Sequence, residues 1–196
     1  MQADSQNMVV PMAYMATTID LDEQRLAIFG GLTQDLANKD FKVVNEVMFL
    51  DLATSKWQKP ARVFVDTYED MPAARMGASM VHFEGKLFVY GGADPYGAES
   101  NSFSDFFSFD SKDNGFKWKK LDNFTELKAA DGTMLGQAVR MYNSDAVVFS
   151  GGCNSLSQTC SFGVTKSILF NQPSAHFTDS LVQMDDFKGR MGHSLV

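Results

Sequence analysis

Three pairs of adjacent glycines recur along the 196-residue chain at a nearly constant interval. The pairs are Gly30-Gly31, Gly91-Gly92 and Gly151-Gly152, and their first members are 61 and 60 residues apart. Each pair directly follows a short run of mostly apolar, β-forming residues, which predicts a buried strand. The glycines themselves predict a turn with positive φ or a close approach of two backbones. A unit repeated at this interval predicts a fold built from several copies of one β-structure.

Further segments recur in the same register. Residues 45–51 match residues 104–110, and each of these segments ends in an aspartate that follows an aromatic residue by one or two positions. Residues 166–171 form a weaker third copy. Trp57 and Trp118 follow the first two copies at a spacing of 61 residues. Residues 75–81 and 190–196 share the pattern Arg-Met-Gly-x-Ser, which opens a new unit.

Taken together, these segments resemble the kelch repeat over residues 13–196. The resemblance implies an all-β fold, a kelch-type β-propeller whose blades are four-stranded antiparallel sheets with strands a to d. It also gives the three diglycines and the two tryptophans a structural role, the tryptophans packing between blades. The blades are expected at about residues 13–58, 74–121 and 134–178, followed by strand a of a fourth blade at 188–196.

Three blades and one strand do not make a closed ring, since propellers typically have about four to eight blades. The sequence stops at Val196, inside the predicted apolar strand. An unpaired core strand invites aggregation. We therefore expect a fragment of a longer polypeptide, or else a short chain whose ring is completed by another chain.

The charge balance bears on the kind of partner. The chain has 17 Lys and Arg against 24 Asp and Glu, a net charge of −7. This balance does not suit a phosphate backbone, so we expect no nucleic-acid partner. The longest mostly apolar stretch near the N-terminus, residues 8–16, contains Pro11. A membrane span needs about 20 apolar residues, so we expect no membrane insertion within these residues.

Partners of kelch-like propellers commonly bind the b–c and d–a loops, which project from one face. Here these loops are long, which is typical of functional loops, although surface loops also tolerate insertions at little cost. Acidic residues gather in the d–a loops, where they would attract a basic partner or form a solvated surface. The acidic candidates for partner binding are Asp66, Glu69, Asp70, Glu126 and Asp131.

Two arginines are candidate partner-binding residues because of their place in the repeat. In some kelch substrate adaptors, arginines that open strand a bind acidic peptides through paired hydrogen bonds. Arg75 and Arg190 stand there in this sequence, whereas Leu135 and Tyr14 occupy the other two positions. The alternative is a structural role in which the arginines bond to loop carbonyls.

Both cysteines, Cys153 and Cys160, fall in the third b–c loop. Their place directly after a diglycine resembles that of cysteines in secreted or luminal kelch proteins of some protists, where a disulfide would close the loop. A disulfide persists only in an oxidising compartment. An extracellular or luminal location follows if the two are joined, and a cytoplasmic one if they are free thiols.

The sequence favours a non-catalytic protein–protein interaction or structural scaffold module that binds other protein chains and needs no cofactor. The first alternative is a kelch-type substrate-recognition domain of a larger regulatory protein. The second is a secreted propeller enzyme such as a copper radical oxidase, which needs two histidine ligands and a cysteine linked to a tyrosine. His82, His176 and His193 show no such pattern, and no Cys–Tyr pair is evident.

Overall fold

The structure is a computed structural model that describes residues 11–35, 39–96, 102–112, 116–121, 133–141, 146–153, 164–169 and 176–181, the last two ranges by their backbone alone. Several predicted features lie outside these residues. They are the strand at 188–196, Arg190, Glu126, Asp131 and Cys160.

The described chain is all-β, as predicted. Its fifteen strands are short, and a single turn of 3-10 helix at Tyr68–Asp70 interrupts them. In chain order the strands are β1 (Met12–Ala13), β2 (Ala16–Asp20), β3 (Arg25–Phe29), β4 (Leu32–Gln34), β5 (Phe41–Val43), β6 (Val47–Asp51), β7 (Lys56–Gln58), β8 (Ser79–Phe83), β9 (Lys86–Tyr90), β10 (Phe106–Asp110), β11 (Lys117–Lys120), β12 (Gln137–Arg140), β13 (Ala146–Ser150), β14 (Val164–Leu169) and β15 (His176–Leu181).

Twelve of these strands form three antiparallel sheets of four strands each. The orders are β2-β3-β6-β7 in the first sheet, β8-β9-β10-β11 in the second and β12-β13-β14-β15 in the third. Neighbours in sequence are neighbours in space, which is the arrangement expected of propeller blades. The third sheet runs to Leu181, three residues past the boundary predicted from the sequence.

The three sheets stack through their apolar faces. Phe29 and Phe49 of the first sheet share a core with one face of the second sheet, which includes Phe109. The other face of the second sheet packs against Val147 and Phe149 of the third. Since the second sheet is covered on both faces, every residue of β8 is buried, whereas exposed and buried residues alternate in a strand with one free face.

The first two diglycines lie where one sheet meets the chain entering the next. Gly30 and Gly91 have φ values of 65° and 70°, in the left-handed region. A Cβ on Gly30 would lie 2.4 Å from the carbonyl oxygen of Arg75, and one on Gly91 would lie 2.4 Å from that of Thr133. Only glycine permits this approach without displacing backbone.

Trp118 joins the first two sheets. Its side chain is 1% exposed, and its ring lies 5.0 Å from that of Phe29 in the first sheet and 4.8 Å from that of Phe109 in its own. Trp57, on the outermost strand of the first sheet, is half-buried. A contact between blades is therefore observed for Trp118.

A small three-stranded sheet, in the order β1-β4-β5, was not predicted. It forms because the long connection between β3 and β6 folds back as a hairpin, and Met12–Ala13 adds a third strand to it. Within the described residues, no helix is long and apolar enough to cross a membrane.

Substituting Gly91→Ala tests the role of the close approach. We expect a loss of more than about 2 kcal/mol in the free energy of unfolding, because the left-handed φ alone costs about 1–2 kcal/mol and the new Cβ also meets a backbone carbonyl. Gly85→Ala is the matched control. Gly85 has a φ of 74°, but its Cβ would meet only the flexible end of the Lys112 side chain. Equal losses in chemical denaturation of the two variants would contradict this account.

Candidate functional site

The two ends of the sheets differ in their exposed apolar residues. We call the end where β3, β9 and β13 reach the diglycines the loop face, and the opposite end, with the tight turns 21–24, 52–55 and 84–85, the turn face. The exposed large residues at the turn face are Ile19, Leu21, Leu52, Met141 and Phe64, which lies beside Lys117 of β11. Those at the loop face are aromatic: Tyr14, Phe41, Tyr68 and Tyr96.

The first part of the connection between β7 and β8, residues 59–73, is held against the second sheet. The backbone N–H of Phe64 donates to the carbonyl of Phe116 at 2.8 Å, and the N–H of Trp118 donates to the carbonyl of Phe64 at 3.0 Å. These bonds place Phe64 in a parallel bridge beside β11. The connection thus extends the second sheet at its outer edge.

Asp70 fixes the end of this connection that lies nearest the loop face. Its carboxylate accepts hydrogen bonds from the backbone N–H and the hydroxyl of Thr67, both at 2.9 Å, and from the backbone N–H of Lys120 at 2.9 Å. The Lys120 amide is the main reason that the pKa of Asp70 lies below its usual value. Tyr68, 93% exposed, projects from the turn that these bonds hold.

The predicted acidic residues therefore have different roles. Asp66 pairs with Lys117 at 2.7 Å, and Asp70 caps the turn, so both help to hold the connection in place. Glu69 is exposed beside Tyr68. No convergence of acid on one rim is described, since Glu126 and Asp131 lie outside the described residues.

A cavity of about 190 Å³ lies at the junction of the first two sheets. Trp118, Val63 and Met71 form part of its apolar wall. An ion pair between Lys59 and Glu46, at 2.6 Å, lies at its edge. The cavity also includes Asn45, Val47 and Pro60.

Arg75 does not fit the partner-binding role predicted for it, because its side chain is 0% exposed. The guanidinium forms a bidentate ion pair with Asp105 and donates to the carbonyls of Gly91 and Ala73, each at 3.0 Å. It also lies over the ring of Phe103, 4.1 Å from its centroid. These contacts agree with the alternative prediction, in which the arginine has a structural role and bonds to loop carbonyls.

The register predicted for the arginine position is also corrected. Tyr14, Gly77 and Leu135 all have left-handed φ values and form a chain of 2.7 Å hydrogen bonds, from the N–H of Gly77 to Tyr14 and from the N–H of Leu135 to Gly77. They are therefore equivalent positions. Thr133, rather than Leu135, corresponds to Arg75, because both carbonyls accept from the second glycine of a diglycine.

A buried polar junction between the first two sheets was missed. Asp20 is fully buried and accepts from Arg25 at 2.9 Å and from the Ser111 hydroxyl at 3.3 Å. His82 Nε2 lies 3.2 Å from Asp20 Oδ1 and 3.8 Å from Asp22 Oδ2. Burial lowers the pKa of His82, and the two carboxylates oppose that shift. The only available signal in the sequence was Asp20 itself, a charged residue at the end of β2.

The histidines are not brought together by the described strands. His82 lies on the innermost strand of the second sheet, whereas His176 lies on the outermost strand of the third, and His193 is outside the described residues. Across the parts of the chain that are described, no group of three or more His, Cys, Asp or Glu is placed to hold a metal ion.

Cys153 is buried, and its predicted disulfide with Cys160 stays a prediction.

The described four-stranded sheets are stacked and antiparallel, and a diglycine of one sheet contacts the chain that enters the next. This arrangement defines a run of β-propeller blades. A family model described as the KLHDC2/KLHL20/DRC7 Kelch-repeats domain matches residues 2–196. The chain therefore belongs to the kelch-repeat family, as the repeat predicted.

A solved structure supports the same fold. The structure titled "Structure of YjhT" superposes with a TM-score of 0.66 at 16% identity, covering 93% of this chain. The chain spans 55% of that protein. At this identity the likeness shows the fold alone. The search of curated proteins found no match.

Acidification tests the junction at His82. Its folded-state pKa lies below 6.5, so as the pH falls through that value the unfolded chain takes up a proton that the folded chain resists, and stability falls. We expect His82→Gln to flatten the dependence of unfolding free energy on pH between 6.5 and about 5.5, above the range in which ordinary carboxylates titrate. Chemical denaturation of the wild type and the variant across this pH range measures the two unfolding free energies. If these free energies change with pH to the same extent in both proteins, the expectation is wrong.

Proposed function

We propose that the chain is a non-catalytic interaction module whose loop face binds another protein. Membership of the kelch-repeat family supports an interaction role in general terms. The observation that carries the proposal is Tyr68, an almost fully exposed aromatic side chain on a turn that hydrogen bonds hold against the second sheet. The alternative of a substrate-recognition domain in a larger regulatory protein is a particular case of this function.

A fixed tyrosine suits a binding surface for energetic reasons. Tyrosine brings a large amphipathic contact area at a low cost in side-chain entropy, and tyrosines are frequent among the residues that dominate interface energies. The Thr67–Asp70 capping box orders the turn before a partner arrives, so less conformational entropy is lost on binding. A flexible loop would lose that advantage.

The cavity beside the connection offers a second element of recognition. A partner that contacts Tyr68 lies close to the cavity, because Met71 lines its wall three residues further along the chain. Its apolar lining suits an aliphatic side chain, while Lys59 and Glu46 at the edge suit polar groups. An apolar centre with a charged edge is the usual anatomy of a protein interface.

Tyr68→Ala tests the proposal. The tagged chain is expressed in its source cells, and co-purifying proteins are quantified by mass spectrometry. We expect the specific partner to be recovered at least about tenfold less with Tyr68→Ala, since a central interface tyrosine commonly contributes more than 1.4 kcal/mol.

Leu52→Ala is the matched control, because Leu52 is an exposed apolar residue at the turn face. It should leave partner recovery unchanged. Unchanged recovery with Tyr68→Ala, or an equal loss with Leu52→Ala, would contradict binding through the loop face. Both residues lie outside the cores, so both variants should keep the wild-type melting temperature.

A further inference from the structure

The small sheet has an open edge at β5. Two hydrogen bonds fix how β4 and β5 pair: the N–H of Val44 donates to the carbonyl of Gly31 at 3.0 Å, and the N–H of Asp35 donates to that of Asp40 at 2.8 Å. In an antiparallel pair, hydrogen-bonded and non-hydrogen-bonded residue pairs alternate. Lys42 is therefore bonded to Thr33, and the backbone groups of Phe41 and Val43 point away from β4.

These outward groups are two N–H donors and two carbonyl acceptors, spaced as in an ordinary strand. Within the described part of the chain, none of the four has a hydrogen-bond partner. Phe41 is 56% exposed and Lys42 is also exposed, so the edge is accessible to another chain. An extended peptide backbone presents donors and acceptors at the same spacing and therefore matches this edge.

We propose that β5 binds an extended segment of a partner protein by strand addition. The inference rests on the proposed function, since β5 lies in the connection between β3 and β6 at the loop face, and it specifies how a partner binds there. Antiparallel addition would form four backbone hydrogen bonds, two with Phe41 and two with Val43. The added segment would become the fourth strand of the small sheet.

Charge narrows the kind of segment. A second copy pairing through its own β5 would place two Lys42 side chains directly opposite each other, which is unfavourable. An acidic side chain opposite Lys42 would be attracted instead. The residues on either side of it would lie beside Phe41 and Val43, so apolar side chains suit those positions. We therefore expect a partner segment in which one acidic residue stands between two apolar residues.

The experiment uses two peptides with the isotopically labelled full chain. The first is acetyl-Thr-Val-Glu-Val-Thr-amide, and the second carries Lys in place of Glu. Binding is followed by NMR titration and amide hydrogen exchange. We expect the Phe41 and Val43 amides to exchange more slowly with the Glu peptide and the Lys42 amide to stay unchanged, since it is already bonded to β4. The Glu peptide should bind about twofold to fivefold more tightly than the Lys peptide.

Two variants separate the contributions. Val43→Pro removes an outward donor that β4 does not use, so the hairpin is retained while binding of both peptides falls. Lys42→Glu, a surface change, should reverse the preference between the peptides. Strand addition is wrong if neither variant alters peptide binding, or if the peptides leave the Phe41 and Val43 amides unaffected.

The same variants separate this inference from the proposed function. If Tyr68→Ala abolishes partner capture while Val43→Pro and Lys42→Glu alter neither capture nor peptide binding, the loop face binds its partner without strand addition. If the peptides bind as expected but Tyr68→Ala leaves capture unchanged, the open edge is a binding site and the role of Tyr68 is wrong.

Discussion

The close approach between each of the first two diglycines and the chain entering the next sheet is the constraint on which the rest of the described structure depends. Gly31 donates to the carbonyl of Arg75, and Gly92 donates to that of Thr133, each at 2.8 Å. These bonds fix where each following sheet begins. The sheets are thereby held at a distance at which their apolar faces meet, with Trp118 filling the first junction. Without glycine at these points, a side chain would separate the sheets and open both cores.

A rigid stack has consequences for its loops. The 59–73 connection bonds to the outermost strand of the second sheet, and Arg75 fixes the segment leading into the innermost strand. Exposed aromatic side chains at the loop face thus stand on segments whose positions the stack determines. Stability therefore depends on the buried faces of the sheets. Residues at the loop face can bind a partner without contributing to that stability.

The repeat predicted the sheets because the recurring diglycines and the short apolar runs before them leave a signal in the sequence. The small sheet and the bridge at Phe64 left none, since both are made by backbone hydrogen bonds that any residue other than proline can form. Arg75 was a candidate for partner binding because of its place in the repeat, and its pairing with Asp105, thirty residues away, depends on the fold. The contact of Asp20 with His82 likewise depends on the stacking of two sheets.

The most direct test of the central claim is hydrogen–deuterium exchange of the chain, free and bound to the protein that it captures. The account predicts slower exchange on binding at the loop face, in residues 39–44 and 67–73, with the turns at 21–24 and 52–55 unchanged. Protection confined to those turns would mean that the partner binds the opposite end of the sheets, which would contradict the account.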